Sequence, residues 1–244
     1  MFSFQWIRQQ ALAVGFDDCG VAIAERLDDD AAFMEQWVAQ GLHGNMAYLE
    51  RNREKRYDPR ELVPGTTAVV VCILRYDKCR RDYHRTIKSM LYQLDALLQS
   101  NPPKISPPPD ASASPQTVAP LPQHIFCDSA PFLERRWAVK AGLGFIGRNH
   151  QFFHHTLGSM VHIGEIVINK KIDAIAPTAT IDPTEATNRF VATPCADCHL
   201  CEEACPTGAL RNAVWDATRC IAYTTHRCLV CQQACPINKL RIMN

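Results

Sequence analysis

Eight of the chain's twelve cysteines lie between Cys195 and Cys235, at spacings that suit iron–sulfur chemistry. Cys195, Cys198, Cys201 and Cys205 follow C-x2-C-x2-C-x3-C-P, the bacterial run that ligates [4Fe-4S] clusters. Cys220, Cys228, Cys231 and Cys235 repeat the pattern with a longer first gap. Three closely spaced thiolates curl the backbone around three corners of a cubane, and the fourth ligand comes from a distance. In two-cluster ferredoxins the Cys before the Pro serves the other cluster. That rule puts Cys195, Cys198, Cys201 and Cys235 on one cluster, and Cys220, Cys228, Cys231 and Cys205 on the other. Pro206 and Pro236 end the ligand loops and fix their backbones. Zinc usually takes two C-x2-C pairs about 12–20 residues apart, and disulfides need an oxidising compartment. Neither reading accounts for the doubled C-P ending.

Two clusters side by side form an electron wire. A pure carrier needs only the last fifth of this 244-residue chain. The large upstream region therefore favours an enzyme whose redox centre is fed by the wire. The expected division is residues 1–190 for catalysis and 191–244 for a ferredoxin-like module. The composition, 47% hydrophobic and 21% charged, is globular. A net charge of +1 points to neither a nucleic-acid nor a membrane partner. The longest apolar run, Ala68 to Leu74, is too short to span a bilayer. The opening MFSFQWIRQQ is not a secretory signal, and reduced thiols imply a cytoplasmic location.

The elements that must position the chemistry are legible upstream. Residues 3–14 form an expected helix closed by Gly15, and Cys19 to Ala24 an expected strand. A helix should run from an Asp29 N-cap to Gln40, with Phe33, Met34, Trp37 and Val38 as its apolar stripe and Gly41 beyond its end. The β-branched run from Thr66 to Tyr76 reads as a buried strand. His84 to Gln99 reads as a helix with Ile87, Leu91, Leu94 and Leu98 on one side. The Pro, Ser and Ala stretch from 101 to 122 is a surface insertion. His124 to Cys127 is an expected strand ending at Asp128, Ala130 to Ala141 a helix closed by Gly142, and Met160 to Lys170 a strand. Two basic groups, at 51–56 and 75–88, can be read as phosphate contacts or as solvated faces. The loop Gly142-Leu143-Gly144-Phe145-Ile146-Gly147 matches neither a P-loop nor a dinucleotide fingerprint. Its glycines suit close approach to a flat group or another strand.

Several pieces together resemble the epoxyqueuosine reductase family: Asn45-Met46-Ala47-Tyr48-Leu49, Asp82-Tyr83-His84, Asp128-Ser129-Ala130-Pro131-Phe132-Leu133-Glu134-Arg135, Ala141 to Asn149, Gly158-Ser159, Gly164-Glu165-Ile166 and both cysteine sets. They cover about Gly44 to Asn238 in the family's order. The resemblance implies an α+β fold, a sheet-and-helix corrinoid domain followed by the cluster module. It implies a base-off cobalamin beside two [4Fe-4S] clusters, and reduction of epoxyqueuosine in tRNA to queuosine. The corrinoid motif D-x-H-x-x-G is absent, because Ile87 stands where its glycine would be. This family expects no such ligand.

Reducing an epoxide leaves an alkoxide-like oxygen that must be protonated. The family's proposed acid falls on Asp128, at a strand end where partial burial would hold its proton. Its other reading is an N-cap for the following helix. Tyr83, His84 and Arg135 are candidate corrinoid or substrate contacts, and Gly142, Gly144 and Gly147 the expected points of close approach to the corrin. The expected partners are tRNA or a modified nucleoside, and an external donor such as a flavodoxin or ferredoxin. No membrane is expected, and the chain should be a monomer. Family members carry a tRNA-gripping helical-repeat region beyond the clusters, so a short form is expected here. Two alternatives stay open: a corrinoid reductase for another electrophile such as an organohalide, and a carrier-like iron–sulfur protein.

Overall fold

The computed structural model describes residues 2–79, 82–100, 124–170, 172–173, 195, 197–225 and 227–238. The insertion expected at 101–122 lies outside them.

Helix α1 spans Phe4–Val14, capped by the Ser3 hydroxyl and closed by Gly15 at φ 116°. Strand β1 (Asp18–Ile23) follows, then α2 (Asp28–Ala39). The α2 N-cap is Leu27 and carries no side-chain bond, so Asp29 lies inside the first turn instead of capping it. Three aspartates in that turn favour the helix through its dipole. Strand β2 (Ala68–Arg75), α3 (Tyr83–Gln99, capped by Asp82), β3 (Ile125–Phe126) and α4 (Glu134–Lys140) come next. A hairpin of β4 (Gly144–Ile146) and β5 (Phe152–His154) leads into β6 (Val161–Ile168).

The central sheet is antiparallel, in the order β1-β2-β6-β3. Its residues alternate between two apolar layers, which is why β2 reads as one continuous hydrophobic run. Ala68, Val70, Cys72 and Leu74 meet α1 and α3 through Ile7, Ala11, Ile87, Leu91, Leu94 and Leu98. Val69, Val71 and Ile73 meet Phe132, Trp137, Ala138 and Phe152 on the other face. The sheet is thus covered by helices on both sides, a mixed α and β architecture.

The cysteine-rich segment adds α5 (Leu200–Glu203), the two-residue strands β7 (Leu210–Arg211) and β8 (Val214–Trp215), α6 (Ile221–Thr225) and α7 (Val230–Gln233). It is fastened to α2 and the turn after it. Trp37 stacks on Trp215 with ring centroids 5.6 Å apart and donates Nε1–H to the Trp215 carbonyl at 2.6 Å. The Ala217 N–H donates to the Leu42 carbonyl at 2.8 Å. At the far end Asn238 Nδ2 donates to Ser159 Oγ, and its Oδ1 accepts the Ser159 N–H. Among the described residues no helix is long and apolar enough to cross a membrane.

Candidate active site

Asp128 follows β3 in the left-handed region, at φ 50°. A non-glycine residue pays for that conformation, and such strain clusters at functional positions. Helix α4 begins at Glu134 behind Leu133, so Asp128 caps nothing. Its carboxylate is held elsewhere. Tyr83 donates to Asp128 Oδ2 at 2.7 Å, and His84 Nε2 lies 3.9 Å from the same oxygen. The side chain is 52% exposed, more open than its strand-end position suggests.

Tyr83 and His84 belong to a column of rings. Tyr83 stacks on His84 at 3.9 Å and on His162 at 4.1 Å, and Tyr76 lies on His162 at 4.2 Å. Burial lowers the His162 pKa, favouring a neutral ring, and raises the Tyr83 phenol, with Asp128 adding to it. His162 carries no signal in its own sequence context; only pairing of β6 with β2 brings it here.

Two further carboxyls stand behind Asp128. Glu134 Oε1 accepts the Asp128 N–H at 2.6 Å. Burial, then Asp128, pushes the Glu134 carboxyl up to about 8. Glu165, on β6, is fully buried, and neither oxygen has a hydrogen-bond partner among the described residues. Burial first, then Glu134 and Asp128, raises its pKa well above the carboxylate range.

Asp128, Glu134 and Arg135 form a ridge between two cavities. The larger, about 640 Å³, has Phe33, Met34, Trp37, Met46, Phe132 and Trp215 among its apolar walls and His150 at its edge. The smaller, about 350 Å³, includes Tyr76, Tyr83 and His162. The larger falls in the usual range of ligand pockets, roughly 300–1,000 Å³. Its aromatic and thioether lining fits one face of a large flat cofactor. Arg135 lines both cavities and donates Nη1–H to the His150 carbonyl at 2.7 Å. His150 is kept neutral: burial depresses its pKa to about 4, while its ring meets the Ala213 carbonyl at 2.8 Å.

The three glycines expected at the corrin line neither cavity; Ile146 does instead. A Cβ at Gly144 would sit 2.0 Å from the Phe153 carbonyl oxygen, and one at Gly147 2.7 Å from the Phe153 ring. Gly142, at φ 74°, closes α4. The flat neighbour these glycines admit is strand β5. The basic groups also have internal duties. Arg56 is buried and donates to the Tyr48, Leu49 and Arg51 carbonyls, and Arg75 and Lys78 pair with Asp17.

All eight cysteines of the two runs are free thiols. Burial raises Cys195, and Cys235 and Cys198 add to it. Burial also raises Cys231, with Cys228, Cys220 and Cys205 adding to it. Burial likewise raises Cys201, which feels Cys195 and Cys198 of its own run and also Cys231 of the other. Burial acts to raise the Cys205 thiol, but the Thr207 hydroxyl and the N–H groups of Thr207, Ala209 and Leu210 bring it below its ordinary value. Among the described residues no three Cys, His, Asp or Glu side chains converge on a single ion.

An epoxyqueuosine reductase of Leadbetterella byssophila is 30% identical over 234 residues, which is 90% of this chain and 68% of that protein. One from Cyclobacterium marinum is 31% identical over 239 residues, 91% of this chain and 68% of that protein. The chain belongs to the epoxyqueuosine reductase family. It is an oxidoreductase, spanning about two thirds of the length of these relatives. No protein-family model matches it. The same fold recurs in the Streptococcus thermophilus epoxyqueuosine reductase, with TM-score 0.72, 20% identity, 96% of this chain and 66% of that one. It recurs in an epoxyqueuosine reductase solved with an epoxyqueuosine-modified tRNA stem loop, with TM-score 0.72, 22% identity and coverage of 96% and 65%. In a Bacillus subtilis structure, TM-score 0.71 and 22% identity over 96% and 65%, the catalytic aspartate loop is swung out of the active site.

Proposed function

We propose that this family member reduces the epoxide of epoxyqueuosine in tRNA to the alkene of queuosine, with a base-off cobalamin and two [4Fe-4S] clusters. The carrying observation is the Tyr83–Asp128 pair set between two cavities, in a chain that also carries both cysteine runs. A relative's complex with an epoxyqueuosine-modified stem loop supports the substrate. Residues 1–190 would hold the catalytic part and 191–244 the cluster module, in a cytoplasmic monomer.

Cys195, Cys198, Cys201 and Cys235 would hold one cluster, and Cys220, Cys228, Cys231 and Cys205 the other. The larger cavity, walled by α2, the 128–136 segment and Trp215, would hold the corrinoid. When bound, the corrinoid supplies a strongly reducing metal centre, recharged through the clusters by a low-potential flavodoxin or ferredoxin. The chain's own work is to place and protonate the substrate. Asp128 gives its carboxyl proton to the epoxide oxygen as the C–O bond opens. Tyr83 donates to Oδ2, which orients the carboxyl and leaves Oδ1 to carry the proton. Arg135, fixed on the His150 carbonyl, orients the ligand edge that reaches the ridge. In the Bacillus subtilis structure a catalytic aspartate loop is swung out of the active site. The strained backbone at Asp128 suits the same movement here.

The test is a cobalamin titration of anaerobically purified protein, followed by visible absorption, with iron and sulfide measured on the same sample. A base-off spectrum with about eight irons per chain, and queuosine formed from epoxyqueuosine tRNA, supports the reading. Eight irons without a corrinoid spectrum, or loading without queuosine, overturns it.

A further inference from the structure

Removing an epoxide oxygen as water consumes two electrons and two protons: epoxide + 2e⁻ + 2H⁺ gives alkene + H₂O. The electrons come from the low-potential donor through the clusters. Both protons end on the same oxygen, one as each C–O bond breaks. Asp128 holds one proton, so it must be recharged within the turnover or be joined by a second acid.

Bulk water is poorly placed for this. Asp128 lines both cavities, and in the proposed reaction corrinoid and substrate would occupy them. The protein side offers a different route. Glu134 touches Asp128 through the Asp128 N–H at 2.6 Å and lines both cavities. That N–H occupies Oε1, leaving Oε2 to carry a proton. Behind it, Glu165 lies on β6 opposite Phe126, two residues before Asp128. It is fully buried, with both oxygens unpartnered among the described residues. An ionised carboxylate left so would cost several kcal/mol, so Glu165 is a neutral acid at rest. Nothing in the packing of α4 on β6 requires a carboxyl there.

We propose that Glu134 recharges Asp128 between the two C–O cleavages, with the buried Glu165 behind it as a positioning group. The relay rests on the reductase reading and adds the source of the second proton. The transfer moves one proton from Glu134 to Asp128, and Glu134, which lines both cavities, regains it from solvent after product leaves. The groups facing the relay are Asp128 and Cys127 from the β3 end, Tyr83 and Lys88 from α3, His162 from β6 and Arg135 from α4. The Glu134 carboxyl, raised to about 8, is loaded at neutral pH and empty well above it.

The test uses the reconstituted protein with clusters and cobalamin, and epoxyqueuosine tRNA. In Glu134→Gln, kcat at pH 7 should fall about 10²-fold, in the range for loss of a positioned acid. KM for tRNA and the corrinoid spectrum should stay unchanged. The wild-type fall in kcat through about pH 8 should vanish in that variant and return in Glu134→Asp. Glu165→Gln, an isostere of a neutral acid, should fold and lower kcat with the alkaline limb retained. Independently, the infrared carbonyl stretch of a protonated carboxyl should be present at pH 7 in the protein alone and weaken in both Gln variants. An active wild type with an unaffected Glu134→Gln, or no protonated carboxyl at pH 7, overturns the relay and leaves the reductase reading standing. A loaded wild type that makes no queuosine overturns both.

Discussion

Tyr83 donates its phenolic hydrogen to Asp128 Oδ2 across 2.7 Å, and this bond ties α3 to the strained residue after β3. Two separate parts of the sequence thus meet at one oxygen. Asp128→Asn keeps the shape and removes the acid, and should lower kcat about 10²- to 10⁴-fold with cobalamin binding intact. Tyr83→Phe keeps the ring stack with His84 and His162 and loses one hydrogen bond. That loss, about 1.4 kcal/mol, should cost roughly tenfold. Comparable queuosine formation by Asp128→Asn and wild type would remove Asp128 from its role.

The proposed crossing of the cysteine groups predicts a non-local effect on iron. Cys205 sits in the first run but raises the thiol of Cys231 in the second group. Cys205→Ser should release the cluster held by Cys220, Cys228 and Cys231, taking iron from about eight to about four per chain. Loss of the cluster at Cys195, Cys198 and Cys201 instead would show that the runs are not crossed.

Glu134 and Glu165 also shape stability. Both carboxyls are raised in the folded chain, whereas in an unfolded chain they ionise near about 4.3. The native state therefore keeps protons that the unfolded state gives up. Their contribution is complete below about pH 4 and is lost as pH rises, through about 8 for Glu134. Glu165→Gln removes the ionisable group. Its thermal midpoint should match or nearly match wild type at pH 5 and exceed it at pH 9. Parallel curves across that range would count against a protonated Glu165.

Trp37 fastens the cysteine-rich segment. Trp37→Ala removes a buried stack on Trp215 and the bond to its carbonyl, and should cost about 3–5 kcal/mol in denaturant unfolding. Trp37→Phe keeps most of the apolar area and should cost nearer 1 kcal/mol. Equal losses from the two would place the energy in the hydrogen bond, not the packing.

What could be read early was whatever depends on local spacing. The stripe Ile87, Leu91, Leu94 and Leu98 is buried as its period requires, and the β2 run is buried on both faces. The cysteine grouping rests on spacing alone. Long-range register was not legible. Glu165 and His162 lie in one strand at opposite ends of the site, and only the pairing of β6 with β2 and β3 gives them roles. The helix expected from Ala130 starts at Glu134, because Asp128 gives its carboxylate to Tyr83 and no side chain caps Leu133. The glycine-rich loop became the β4–β5 hairpin, since its small residues face Phe153.

The larger cavity draws its walls from both ends of the chain, with Phe33 and Trp37 on α2 and Trp215 from the cysteine-rich segment. A ligand seated there touches two surfaces that must be docked for it to bind. By thermodynamic linkage its binding energy also holds those surfaces together. Saturating ligand at a hundredfold over its dissociation constant adds about 2.7 kcal/mol to that docking. Filling the cavity and seating the cysteine-rich segment are then two halves of one maturation equilibrium, and whichever is completed first makes the other easier.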